Sequence, residues 1–346
     1  PISRTVLSKY YKYFKLFSVL LSVLFFTNTS TVAANELLGN SSAQNQEWRT
    51  YDCYEFSFSY PKTYTSVKPY SDSDVTLITQ LQSDSDSFME NILITKLGVM
   101  TKDEVIEEFK KSDMADLKYE NILVNGLEGV SLSYTMKYQN IEVIHLQYVI
   151  FGKKYTYSLS LSSQKEEYEK YKEEAIKIFN SFKTNPNVKV EDGWDIFSNE
   201  RVFFVYPSGY QKVVEEEADP EEVITLQEVS DNEDDLVEEQ FYLTATALAE
   251  DVQQLEELNE LNKGLVSGFK ENFKIESNEV DAAKKTLKVF MRLKKDKNVI
   301  ACVQVYLKNQ TMYMLTFSGE KNRYEQGYKK MVDKAFNSFR ILSPGK

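Results

Sequence analysis

Phe56-Ser-Phe-Ser-Tyr-Pro61 opens a segment that closes with Phe179-Asn-Ser-Phe-Lys183, and the chain then says the same thing again. The second statement opens Val202-Phe-Phe-Val-Tyr-Pro207 and closes Phe336-Asn-Ser-Phe-Arg340. The openings are 146 residues apart and the closings 157. In the first opening Tyr54, Phe56, Phe58 and Tyr60 alternate with Glu55, Ser57 and Ser59, the period of a strand with one buried face. Pro61 stops it by removing a donor. Val202, Phe204 and Tyr206 keep the same phase before Pro207. A slip of one residue would turn these side chains to water, so the shared phase points to two copies of one domain.

Outward from the repeat, residues 1–34 read as a secretory signal. Arg4, Lys9, Lys12 and Lys15 precede the apolar run Leu16–Phe26, and Val32-Ala33-Ala34 offers small residues for cleavage before Asn35. A run of eleven residues is short for a bilayer span. Residues 35–50 read as a flexible Asn/Ser/Gln tether, 51–185 as the first copy, 186–193 as a linker and 194–342 as the second copy. Each copy is long enough to bury its own core. The whole chain of 346 residues carries 53 acids and 41 bases. Setting aside the four basic residues of the leader leaves 53 against 37, a net charge of −16. Such a surface repels phosphate backbones, which disfavours nucleic acid as a partner. Cys53 and Cys302 occupy non-equivalent places and read as two buried thiols rather than one bridge. The sequons at Asn40 and Asn309 matter only in a glycosylating source.

Within each copy the pattern is strand, excursion, strand, helix, antiparallel strands, helix. Asn91–Leu97 and Phe241–Leu248 read as strands. Thr101-x-x-Glu104 is a capping box for a helix with Val105, Ile106 and Phe109 inward. Its counterpart starts near Asp251-x-x-Gln254 and carries Leu255, Leu258, Leu265, Phe269 and Phe273 on one side. Hairpin strands follow, over Tyr119–Val124 with Gly129–Tyr138, Glu142–Phe151 and Tyr155–Ser162, with turns at Gly152-Lys-Lys154 and Lys308-Asn-Gln310. A last amphipathic helix carries Tyr168, Tyr171, Ala175, Ile178 and Phe179, capped by Ser163-x-x-Glu166. Its repeat carries Tyr324, Tyr328, Met331, Ala335 and Phe336. The expected fold class is α+β: two tandem αβα sandwiches, each a central antiparallel sheet flanked by helices.

An aromatic strand ending in Tyr-Pro, a mid-domain helix, a hairpin with Tyr-x-Leu-x-Leu/Phe-Ser and a last helix ending in Phe-Asn-Ser-Phe together resemble the PsbP-like superfamily. The resemblance spans about 51–184 and 194–342. It implies a central antiparallel sheet between helices and a non-enzymatic binding or assembly role. It carries over no site.

The residues offer little catalytic chemistry. His145 is the sole histidine and lies in the strand-like run Val143–Val149. A pairing of Cys53 with His145 is the one thiol–imidazole option. No Gly-x-Ser-x-Gly elbow, phosphate loop or zinc-type His/Cys cluster occurs. Oxygen ligands are plentiful in the excursions after the first strands, at Asp72, Asp74, Asp84 and Asp86, and more densely in Glu215–Glu239. That second stretch holds 13 acids and no Lys or Arg. Asp231, Glu233, Asp234 and Asp235 are the ligand-binding candidates there, for a basic partner or for Ca2+, although no calcium-loop motif closes around them. Tyr64, Tyr70 and Tyr210 lie in the same excursions, outside the expected core. The expected function is a secreted or cell-surface binding or assembly module with an unidentified protein or surface partner, no enzymatic activity and no cofactor. The alternative is a divalent-cation or small-ligand binder using the acidic loops.

Overall fold

The computed structural model describes residues 47–67, 75–78, 90–112, 114–138, 141–213, 222–229, 239–248 and 254–342. The leader at 1–34, Asn40, Tyr70 and the acids Asp72, Asp74, Asp84, Asp86, Asp231, Glu233, Asp234 and Asp235 lie outside the described residues. The chain divides into two compact units after Asn187. It is a mixed α+β structure, mostly antiparallel sheet with few helices.

The first unit contains β1 (Trp48–Asp52), β2 (Phe56–Pro61), β3 (Thr65–Val67), β4 (Val75–Ile78), β5 (Asn91–Leu97), α1 (Lys102–Lys111), β6 (Ala115–Val124), β7 (Leu127–Tyr138), β8 (Ile141–Phe151), β9 (Thr156–Gln164), α2 (Tyr168–Ser181) and β10 (Lys183–Thr184). The second contains β11 (Trp194–Ser198), β12 (Val202–Pro207), β13 (Tyr210–Val213), β14 (Glu222–Glu228), β15 (Gln240–Ala247), α3 (Leu255–Phe269), β16 (Phe273–Asp281), β17 (Thr286–Leu293), β18 (Val299–Lys308), β19 (Thr311–Glu320), α4 (Lys321–Arg323), a π-helical turn (Tyr324–Tyr328), α5 (Lys329–Ser338) and β20 (Arg340–Ile341). Each unit has a seven-stranded antiparallel sheet. Their orders are β3-β4-β5-β9-β8-β7-β6 and β13-β14-β15-β19-β18-β17-β16, the same path through the sheet.

The aromatic opening strand does not join that sheet. β2 lies between β1 and β10 in a three-stranded sheet, as β12 lies between β11 and β20. The small sheet and the last helix cover one face of the large sheet. Phe56, Phe58, Phe179 and Phe182 pack there on Ile92, Ile94, Leu159 and Leu161. On the other face Val105, Ile106 and Phe109 of α1 meet Val130, Leu132 and Val149. The first strand of each small sheet begins with a tryptophan missed by the sequence reading. Trp48 pairs with Pro61 and Trp194 with Pro207, so β1 begins inside the stretch read as tether.

The repeated Phe-Asn-Ser-Phe has a physical role. Ser181 Oγ accepts from Ser59 N at 2.8 Å and donates to Ile178 O at 2.6 Å. Ser338 Oγ accepts from Val205 N at 2.9 Å and donates to Ala335 O at 2.6 Å. Each serine uses an orphan carbonyl of the last helical turn and ties the helix to the small sheet. The flanking phenylalanines, Phe179 with Phe182 and Phe336 with Phe339, are buried.

Several expectations need correction. Each excursion holds strands, β3 and β4 in the first unit and β13 and β14 in the second, so Glu222–Glu228 of the acidic stretch is strand rather than loop. Ser163 is a buried residue of β9, and α2 begins at Tyr168 with Glu167 as an N-cap whose side chain makes no capping bond. The capping box at Thr101 and Glu104 is present. α3 is capped instead by Gln254 and Glu257, and Phe273 belongs to β16. Leu258, Asn262 and Val266 are its buried residues, while Leu255 is exposed. Val332, Ala335 and Phe336 are the buried residues of α5, and Met331 is partly buried against the same core. Tyr168-x-x-Tyr171 in the first unit becomes Tyr324-x-x-x-Tyr328 in the second. The extra residue is taken up in the π-turn, which contains Gly327. That one insertion explains why the last strands are offset by 156 residues and the helix ends by 157.

Candidate functional site

The two feet of the acidic segment of the second unit are Glu228, the end of β14, and Glu239, just before β15. The Glu228 N–H donates to Glu239 O at 2.9 Å, so the feet close as a hairpin base. Glu239 is 1% exposed. Its Oε1 accepts from Glu320 N at 3.3 Å and its Oε2 from Arg323 Nη1 at 2.8 Å. The same guanidinium lies 3.6 Å from Glu228 and 3.7 Å from Glu320. Tyr328 OH donates to Glu228 at 2.9 Å. Arg323 precedes the π-turn and Tyr328 ends it, so the turn brings both to the hairpin. Gly319 leaves room for this: a Cβ there would meet Glu239 Cγ at 2.8 Å.

One arginine therefore faces three carboxylates. Burial raises the Glu239 carboxyl above the usual range, opposed by the Glu320 N–H and Arg323 and reinforced by Glu228. Burial, then the bond to Glu228, pushes Tyr328 up to about 12. The cluster holds surplus negative charge at the foot of an acidic segment, an arrangement that attracts a cation or a proton. Among the described residues no set of three His, Cys, Asp or Glu side chains is placed to hold one metal ion.

The first unit repeats part of this frame. Glu90 is buried, and its Oε1 accepts from Gln164 N at 3.3 Å, as Glu239 does from Glu320 N. Counting from β9, the Arg323 position is Glu167. Tyr64 and Tyr210, expected outside the core, are equivalent residues within it. Among the described residues neither hydroxyl has a partner within hydrogen-bond criteria, though Glu174 lies beside Tyr64. Burial raises both, followed by a carboxylate, Glu174 for Tyr64 and Glu228 for Tyr210.

His145 is sealed inside the first unit on the α1 face of the sheet, 2% exposed. Its Nδ1 lies 3.0 Å from Ser162 Oγ, its ring stacks on Tyr134 at 4.9 Å, and its Nε2 is buried with no hydrogen-bond partner among the described residues. Beside it Tyr134 OH donates to Gln147 Oε1 at 3.2 Å and Gln147 Nε2 to Ser158 Oγ at 2.7 Å. The strand registers place Met291, Ala301, Val303 and Met314 at the matching positions of the second unit. Burial alone holds the imidazole pKa down at about 3. Cys53 sits in the core on the opposite face with Leu146 and Tyr148, so the thiol and the imidazole do not meet. Cys302 is also buried and free, its thiol pushed up to about 11 by burial.

No family model matches the chain, and no curated protein matches it. Several solved structures resemble it. The cyanobacterial PsbP, CyanoP, of Synechocystis sp. PCC 6803 aligns over 46% of this chain and all of its own, at 12% identity and a TM-score of 0.34. LpqN of Mycobacterium tuberculosis, described as involved in cell envelope biogenesis, aligns over 40% of this chain and 92% of its own, at 12% identity and 0.32. The immunity protein TplEi of Pseudomonas aeruginosa aligns over 85% of this chain and 97% of its own, at 8% identity and 0.35. All three scores are low, and the likeness goes no further than that.

Proposed function

We propose that this chain is an extracytoplasmic, non-enzymatic binding module built from two PsbP-like domains in tandem. Its second domain meets a basic partner surface through Asp231, Glu233, Asp234 and Asp235. The observation that carries the reading is the clamp at the feet of that segment. Arg323 and Tyr328 hold Glu239 and Glu228, the residues that flank the segment, in a cluster with surplus negative charge. The sealing of the one imidazole favours binding over hydrolysis. The secretory reading of residues 1–34 supports an extracytoplasmic site of action, and among the described residues no helix is long and apolar enough to cross a membrane.

Residues 35–346, used as bait on membrane and secreted fractions of the source cells, should retain a saturable partner. The bait carrying Asp231→Asn, Glu233→Gln, Asp234→Asn and Asp235→Asn should lose it. Equal retention by both baits would move the site elsewhere, and a blank would overturn the reading. Surplus carboxylate at the clamp favours one alternative, a Ca2+ site in the same segment. Calcium would then raise the melting temperature of the second unit, and the four substitutions would abolish the rise.

A further inference from the structure

We infer that the outer edge of β6 in the first unit pairs with the β6 edge of a second copy of this chain, forming an antiparallel dimer centred on Asn121. This goes beyond the binding reading above and does not depend on it. β6 ends its sheet. The Asn125-Gly126 turn has φ of +48° and +83°, the two-residue type that closes Val124 and Leu127 as a hydrogen-bonded pair. Even-numbered residues of β6 therefore bond inward to β7, and Tyr119, Asn121 and Leu123 aim their N–H and C=O groups outward. Among the described residues no strand takes them up.

The side chains match that open ladder. Tyr119 is 48% and Leu123 70% exposed, two of the few large apolar residues in water among the described residues. Both project on the α1 face, where Ile106, Glu107 and Lys110 of α1 and Tyr119 and Asn121 of β6 line a groove of about 370 Å³. The corresponding edge of the second unit is guarded. β16 carries a bulge between Ile275 and Ser277, pairs Glu276 with Arg292 and exposes no large apolar side chain.

A two-fold axis through Asn121 sets Tyr119 opposite Leu123 of the second copy. Directly opposed residues share a face, so each Leu123 reaches the mouth of the other copy's groove, beside Tyr119. Lys118 then faces Val124, and Glu120 faces Ile122, with no like charges directly opposed. An axis through Glu120 would set two carboxylates face to face. An axis through Tyr119 would run the ladder into the irregularity at Ala115–Lys118, where Asp116 has φ +56°. The Asn121 axis alone uses all of Lys118–Val124.

Light scattering on residues 35–346 over a concentration series should read twice the chain mass. Leu123→Lys should read the single mass and keep the folded circular dichroism spectrum, because the side chain is exposed in the monomer. Asn121→Cys should oxidise to a covalent dimer, since hydrogen-bonded opposite residues stand about 5.5 Å apart, within disulfide reach. Glu279→Cys on β16 should not, and the native thiols are buried. A wild-type monomer, or a dimer that survives Leu123→Lys and leaves Asn121→Cys uncrosslinked, would overturn the inference.

Discussion

Acid should unfold the first unit ahead of what its carboxylates alone dictate, through His145. The imidazole is sealed at 2% exposure, and desolvation holds its pKa at about 3 against an ordinary 6.5. The unfolded chain takes up the proton first, so stability is full above pH 6.5 and is lost as pH falls from there to about 3. At about 1.36 kcal/mol per pH unit, the loss is about 2 kcal/mol at pH 5 and about 4 kcal/mol at pH 3. The chain has two tryptophans, Trp48 in the first unit and Trp194 in the second. Single-tryptophan variants therefore report each unit separately in urea titrations. Between pH 7 and pH 5, Trp48 should report a fall about 2 kcal/mol larger in wild type than in His145→Gln, and Trp194 no difference. The sole histidine also gives one assignable ring signal by proton NMR. Identical pH dependence in wild type and His145→Gln, or a ring titrating near 6.5, would refute the reasoning.

Arg323→Gln leaves the Glu239 carboxylate buried without its cation and should cost the second unit about 2 kcal/mol or more at pH 7. Because the Glu239 pKa is raised in the fold, part of that cost should return as pH falls and the carboxyl takes a proton, read by Trp194 fluorescence. Ser181→Ala and Ser338→Ala should each cost their own unit about 1 kcal/mol in urea titrations and spare the other. Deleting Gly327 should be tolerated, restoring the Tyr-x-x-Tyr spacing of the first unit. Circular dichroism should show a folded chain, and the Trp194-reported stability should fall by about 1 kcal/mol as Tyr328 loses Glu228.

The sequence carried the repeat because its motifs are short and local. Tyr-Pro ends a strand wherever it occurs, and Phe-Asn-Ser-Phe works through neighbours on one helical turn. The place of the opening strand was less legible. Alternation identifies a buried face but not the sheet that buries it, so it does not say which sheet takes β2. Trp48 and Trp194 stand at matching distances before Pro61 and Pro207, a repeat signal that marks the first strand of each small sheet. The π-turn was legible only as a one-residue mismatch between offsets. The Glu239–Arg323 pair was hidden because its partners stand 84 residues apart, and pairing across a sheet edge leaves no periodicity. His145 read correctly as a strand residue, but a single residue type cannot reveal the polar chain of Tyr134, Gln147 and Ser158 beside it.

The most direct measurement is an equilibrium isotherm of the captured partner against residues 35–346 and against the variant neutralised at Asp231, Glu233, Asp234 and Asp235, each at low and at high salt. The expected result is saturable binding to the wild-type chain, weakening as salt rises and lost in the variant. An isotherm indifferent to the four substitutions and to salt would contradict an acidic binding segment held by the Arg323 clamp.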